Sequence, residues 1–142
     1  MVSNYQYCTE TFNQIEDDGD VLLIAQEHSK CVDYYKNKIE ESKEKGEQES
    51  YKAHGKLANA LLENGQYDEA YQNALKSLDL LERNELTGTK KEMMTKVKIA
   101  QGSSNIFCYR EDYVHYYKSI SRAFKLLGDR WFQQAKLLKK KA

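Results

Sequence analysis

Apolar residues recur at intervals of three and four along most of the chain, the spacing that places side chains on one face of an α-helix. In the first such segment, 4–15, the side chains of Tyr5, Cys8, Phe12 and Ile15 would share a face. No long stretch shows the alternation of apolar and polar residues that is typical of a half-buried strand. The pattern therefore predicts an all-α protein.

Short polar or glycine-containing segments divide this pattern and predict where helices begin and end. The acidic turn Glu16–Asp20 suits the N-terminus of the helix after it, Gly46 suits a C-cap, and Thr89 suits an N-cap. Further breaks fall at Asn64-Gly65 and Gly128-Asp129. The predicted helices cover 4–15, 21–45, 48–63, 67–84, 90–109, 112–127 and 130–141.

Internal repetition predicts that these helices form stacked hairpins. A shift of 46 positions aligns Asn59 with Asn105, Tyr67 with Tyr113, Tyr71 with Tyr117 and Leu81 with Leu127. A shift of 82 aligns Gly46 with Gly128 and Tyr35 with Tyr117. We therefore expect one domain over residues 1–142, with antiparallel hairpins at about 4–45, 48–85 and 90–128 and a capping helix at 130–141.

The segment HGKLANALLENGQYDEAYQNALKSLDL, residues 54–80, carries the most specific pattern. Ala58 and Ala70 are small enough to let two paired helices approach closely at a crossing. Gly65 stands at the turn between them, where the backbone conformation resists residues with a Cβ, and Tyr67 follows it. This segment resembles a tetratricopeptide repeat, although Ser77 replaces an alanine of that pattern and the terminal proline is missing.

The segment aligned by the shift of 46 resembles the same repeat less closely. It keeps Ser104 at the small position, Tyr113 after the turn and Ala123 in the second helix. Glu111 stands in place of the turn glycine, and Tyr116 in place of the small alanine, so a wider helix crossing is expected there. In the N-terminal hairpin the pattern is reduced to three residues, which are Gly19, Cys31 and Tyr35.

Repeats of this length, with LLGD or EKGE closing the second helix, are similar to spindle-orientation adaptors of the Pins type and related scaffolds. The resemblance implies a right-handed superhelical stack of helix hairpins. It also implies a non-catalytic module that binds an extended or helical segment of another protein in its concave groove. In this fold the first helix of each hairpin faces the groove.

The groove positions implied by the resemblance are Lys52, Lys56, Asn59, Leu62, Glu63, Lys98, Gln101, Asn105 and Tyr109, with Gly55, Gly102 and Cys108 on the same face. Asn59 and Asn105 are the sharpest candidates, because an amide both donates to and accepts from a peptide backbone. The three lysines could form a positive stripe for an acidic peptide or a C-terminal carboxylate, or they could be ordinary solvated side chains. Gly55 stands where the carboxylate-clamp subgroup needs a lysine.

Charge and composition argue against several other classes of function. The 22 basic and 22 acidic residues balance, so no net charge favours nucleic acid or an anionic membrane. The longest apolar run, Val21–Ala25, is too short to span a bilayer, and the N-terminal residues do not resemble a signal peptide. No phosphate loop, nucleophile motif or metal-ligand spacing among His28, His54 and His115 is present, so neither an enzyme nor a cofactor is expected.

The three cysteines have no CxxC spacing and predict reduced thiols in a cytosolic or nuclear protein, with Cys8 and Cys108 buried. The tyrosine-rich segment contributes five expected packing residues, which are Tyr109, Tyr113, Tyr116, Tyr117 and Ile120. Trp131, Phe132 and Leu138 are expected to cover the end of the stack.

Two alternatives to the groove remain at this point. The chain could be a structural or self-associating helical subunit that assembles through its tyrosine-rich faces or the Trp131 helix. It could also bind nucleic acid through its basic C-terminal tail, which the balanced overall charge argues against.

Overall fold

The backbone is all-helical over the residues that a computed structural model describes, which are 15–84 and 88–141, with side chains described up to residue 128. The helices are α1 (Asp18–Ile24), α2 (His28–Glu44), α3 (Tyr51–Glu63), α4 (Tyr67–Arg83), α5 (Lys90–Tyr109) and α6 (Tyr113–Lys141). The all-α prediction is confirmed for this part of the chain. The helix predicted at 4–15 lies outside the described residues, apart from Ile15.

The single helix predicted over 21–45 is wrong, because the structure divides this segment into α1 and α2. Asp17 caps α1, since its side chain accepts a hydrogen bond from the backbone N–H of Asp20. The chain then turns at Gln26, whose φ of 61° is left-handed. No glycine marks this turn in the sequence, which is why the pattern missed it.

The separate capping helix predicted at 130–141 is also wrong, because α6 continues without a break from Tyr113 to Lys141. Gly128 was expected to end a helix and instead lies inside one. A glycine in a helix interior costs about 1 kcal/mol relative to alanine, which does not suffice to stop a helix. The side chains expected to cap the stack (Trp131, Phe132 and Leu138) lie outside those that the structure describes.

The same turn joins the two helices of three successive pairs. Its central residue has a left-handed backbone at Gln26, Gly65 and Glu111, with φ of 61°, 79° and 60°. At Gly65 the N–H donates to the carbonyl of Leu62 at 3.1 Å, and the next N–H donates to the carbonyl of Leu61 at 2.9 Å. The same two hydrogen bonds close α1 and α5, so each turn is a Schellman motif.

These turns fix the internal alignment as 39 positions from Gln26 to Gly65 and 46 positions from Gly65 to Glu111. The predicted shift of 46 is therefore confirmed for the second and third pairs. The predicted shift of 82 is wrong, because the first and third turns lie 85 positions apart. Tyr35 accordingly aligns with Ile120, and not with Tyr117.

The core forms where α3 and α4 pack on each other and on their neighbours α2 and α5. Ala58 and Ala70 are fully buried in one cluster with Ala74 and Leu78 from α4 and Phe107 from α5. Small side chains at these positions let the helix backbones approach closely, as the sequence pattern predicts.

Replacing Glu111 with glycine is expected to stabilise the protein by about 0.5–1 kcal/mol. A residue with a Cβ resists the left-handed backbone that this turn requires, and the side chain of Glu111 is exposed, so its removal loses no packing. Urea denaturation of Glu111→Gly measures the gain. Gly65→Gln is the converse control and should lose a comparable amount. A lower stability of Glu111→Gly would show that the left-handed turn does not strain Glu111.

Candidate functional site

Two glycines bring α3 and α5 into close contact. A Cβ atom at Gly55 would lie 2.7 Å from Ile99 Cγ2, and one at Gly102 would lie 2.7 Å from Asn59 Nδ2. Gly55 is therefore a packing position, because a Cβ there would collide with the buried side chain of Ile99. The contact at Gly102 is with the flexible end of the Asn59 side chain, which can move aside. Gly55 is buried and Gly102 half-buried, which corrects the expectation that they lie exposed on a concave face.

Asn59 of α3 is half-buried, and its side chain lies next to Gly102 on the backbone of α5. Two more side-chain amides, those of Gln101 and Asn105, belong to α5. The side-chain amides of these three residues make no hydrogen bond with any part of the chain that the structure describes. By contrast, Asn73 and Asn84 each donate to the carbonyl oxygen four residues earlier at 2.9 Å. The first three amides therefore have donors and acceptors available for another molecule.

Lys56 is not a surface residue of this face. Its Nζ lies 2.9 Å from Asp20 Oδ2, 3.8 Å from Asp17 and 3.9 Å from Glu16, and its side chain is only 8% exposed. Lys52 also forms an ion pair with Glu16. The predicted positive stripe is therefore wrong at both lysines, because acidic residues that precede and begin α1 neutralise them.

Lys98 is half-buried and makes no ion pair within the described residues. Burial lowers the pKa of Lys98, and the nearby ammonium of Lys56 adds to this, while the carboxylates of Asp20 and Asp17 oppose it. Of the three predicted lysines, Lys98 is the one whose ammonium remains available.

The acidic residues that precede and begin α1 have a role that sequence reasoning missed. Besides binding the lysines of α3, Asp17 and Asp20 accept hydrogen bonds from the hydroxyl of Tyr35 at 3.0 and 3.3 Å. The carboxylates and burial together raise the pKa of Tyr35, with burial the larger cause. The alignment of 39 positions, which the turn at Gln26 reveals, places Asp20 at the position of Asn59 and hence on the same face.

The remaining predicted groove residues have different surroundings. Leu62 is half-buried and packs against the core, whereas Glu63 is exposed. Tyr109 is exposed and stacks on Tyr67, with ring centroids 5.2 Å apart. Leu62 therefore contributes mainly to folding, and Tyr109 to the contact between α4 and α5.

Cysteine burial differs from the prediction. Cys108 is exposed, so its expected burial is wrong, whereas Cys8 lies outside the described residues. Cys31 is fully buried beside the carbonyl of Gly19, and burial raises the pKa of its thiol to about 11. Its thiol therefore stays protonated at neutral pH and serves the core.

The tyrosine-rich segment is only partly a packing element. Tyr116 is half-buried against the core, but Tyr109, Tyr113 and Tyr117 are exposed, which corrects the expectation for those three. His115 is bound to Asp112, with 2.8 Å between Nδ1 and Oδ2.

No group of three or more His, Cys, Asp or Glu side chains is placed to hold a metal ion in the described residues. None of the described helices combines the length and the apolar character needed to cross a membrane. The chain matches no family model, no curated protein and no solved structure.

Proposed function

We propose that this chain is a non-catalytic scaffold of the tetratricopeptide type, in which the common face of α3 and α5 binds a segment of a partner protein. The observation that carries this proposal is the half-buried amide of Asn59, which has no hydrogen bond within the described residues and lies against the backbone of α5. The three repeated turns and the glycine contacts between α3 and α5 support it.

Asn59 is half-buried, so its amide is partly removed from water and gains free energy from a new partner, whereas Asn105 is exposed to water. Asn59 and Asn105 occupy equivalent positions of two helices that pack side by side. An extended peptide presents an N–H and a carbonyl at each residue, so it satisfies both amides whatever its own side chains are. Binding through the backbone then gives affinity, and neighbouring groups give specificity.

The charge of this face narrows the class of partner. Lys52 and Lys56 are neutralised by Glu16, Asp17 and Asp20, so a long acidic tract finds few cations here. Lys98 remains available to one acidic side chain or a terminal carboxylate. The partner segment therefore carries a single carboxylate near the residue that Asn59 and Asn105 hold. We place the protein in the cytosol or nucleus, where thiols such as that of Cys108 stay reduced.

Substitution of both amides tests this function. Affinity for a captured partner should fall roughly ten- to one hundred-fold in Asn59→Ala/Asn105→Ala, because two hydrogen bonds of about 1 kcal/mol each are lost. The double variant and the intact protein are compared by affinity capture, followed by titration of a synthetic segment of the recovered partner. Asn37→Ala, an exposed asparagine on α2, is the matched control. Equal affinities of all three proteins would exclude the proposed surface.

A further inference from the structure

The face of α6 carries large apolar side chains that no described helix covers. Tyr113, Val114, Tyr117 and Phe124 are all more than half exposed. The alignment of 46 positions places Phe124 at the position of Leu78 in α4, and their exposed fractions are 69% and 2%. Leu78 is buried because α5 packs on α4, whereas no described helix packs on α6 in this way.

At the other end of the described helices, α1 also exposes apolar side chains, and these could pack against those of α6. Val21 and Ile24 of α1 are 48% and 49% exposed. The alignment of 85 positions places Val21 at the position of Ile106, which is buried in the same cluster as Leu78 of α4. The residues of α1 that would cover a preceding helix are thus apolar, and no described helix covers them.

The contact between α4 and α5 shows how these two ends would fit. Tyr67 of α4 stacks on Tyr109 of α5 with ring centroids 5.2 Å apart. The equivalent residues at the ends of the array are Tyr113 of α6 and Ile24 of α1. Both are exposed and apolar, so the same register would bring them into contact.

A second contact repeats the correspondence with polar groups. The hydroxyl of Tyr71 in α4 donates a hydrogen bond to the carboxylate of Asp112, which follows α5. The equivalent residues are Tyr117 of α6 and Glu27, which follows α1. A tyrosine and a carboxylate therefore recur at both ends, and each is exposed.

At a third contact, the residues at the two ends differ in chemical character from their counterparts between α4 and α5. Asp68 of α4 forms an ion pair with Arg110 after α5. The equivalents are Val114 of α6 and Ala25 after α1, so an apolar pair replaces an ionic pair. Neither end would leave a charge facing an apolar side chain.

Charge distinguishes between the two ways in which two copies could meet. Residues 113–128 contain no acidic residue, and their exposed basic side chains are Lys118 and Lys125, while Arg122 donates to backbone carbonyls at the end of α4. Of the five acidic residues in 15–27, three pair with lysines of α3, so Asp18 and Glu27 are the exposed acids that give this end its negative charge. Two α6 faces would repel each other, whereas α6 and the acidic end attract.

We propose that α6 of one copy binds α1 of a second copy, in the register with which α5 covers α4. Residues 129–141 cannot fold back onto the exposed stripe, because they continue the same helix. In a pair joined in this way, α1 of the first copy and α6 of the second remain free. Further copies can therefore bind at both ends, and the protein forms a linear assembly. The proposed contact uses residues of α1 and α6, and it does not depend on the proposed peptide binding by α3 and α5.

The mass of the intact protein as a function of concentration tests the proposal. By sedimentation or light scattering, the average mass should rise over about two decades of concentration and exceed twice the 16.6 kDa of one chain. Asn37→Lys on α2 is a control for a surface change elsewhere and should behave in the same way. An average mass that stays at one chain would overturn the proposal.

Two blocking variants distinguish this assembly from a symmetric dimer. Tyr117→Glu places an acid opposite Glu27, and Ile24→Lys places a base against the basic α6 face. Each variant should remain a monomer alone, and a mixture of the two should form a pair of twice the mass that grows no further. Association of Ile24→Lys alone would show that α6 binds α6 and would overturn the proposal. If circular dichroism shows loss of helix in either variant, Val114→Glu and Val21→Lys replace them.

Discussion

Replacing Lys56 with methionine is expected to lower the free energy of unfolding by about 3–5 kcal/mol, since it leaves a buried carboxylate without its countercharge. Lys56 and Asp20 are 8% and 9% exposed at their side chains, and Nζ and Oδ2 lie 2.9 Å apart. Asp17 and Glu16 lie within 4 Å of the same ammonium. Urea unfolding of Lys56→Met measures the loss.

Two further variants show whether charge is the cause. Lys56→Met/Asp20→Asn removes the unpaired charge as well, so it should recover a large part of the loss. Lys52→Met removes a lysine that is 37% exposed at its side chain and should cost less than about 1 kcal/mol. If Lys56→Met costs no more than Lys52→Met, the ion cluster does not hold the fold.

The position of the ion cluster also predicts which helix loses most stability in Lys56→Met. Asp17 and Asp20 are the cap and first turn of α1, whereas Lys56 belongs to α3. The ion pairs therefore stabilise the packing of α1, a helix of seven residues, against α3. Hydrogen exchange in Lys56→Met should accelerate most in α1, since a short helix has little stability of its own.

Helices α3, α4 and α5 were predictable because local signals mark their ends. Thr89 caps α5, since its hydroxyl accepts a hydrogen bond from the N–H of Glu92 at 3.2 Å. Gly65 supplies the left-handed turn after α3. Where the signal was absent, as at Gln26, a turn was missed, and where it was misleading, as at Gly128, a break was predicted that does not occur.

The sequence predicted which residues of the candidate site lie near one another on α3 and α5, but not which residues of other helices contact them. Helical spacing places Lys56 and Asn59 on neighbouring parts of α3, and the shift of 46 places Asn105 at the equivalent position of α5. The burial of Lys56 depends on Asp20, which lies 36 positions earlier in the chain. Spacing within one helix contains no information on a partner from another helix.

Phe107→Ala is expected to cost about 3–5 kcal/mol, because it leaves a cavity where the second and third helix pairs meet. Phe107 is fully buried and shares a cluster with Ala74 and Leu78 of α4. The ring of Tyr71 meets it edge to face, with centroids 6.0 Å apart, and that of His115 lies at 5.5 Å. Thermal and urea unfolding measure the loss.

Phe124→Ala is the matched control, because it makes the same change on an uncovered face. At low protein concentration the loss should stay within about 0.5 kcal/mol, since 69% of Phe124 is already in contact with water. A large loss at low concentration would mean that the described face of α6 is covered within one chain. If the two variants lost equal amounts, α5 would contribute no more to the core than an open surface does, and the packing of α5 on α4 would be refuted.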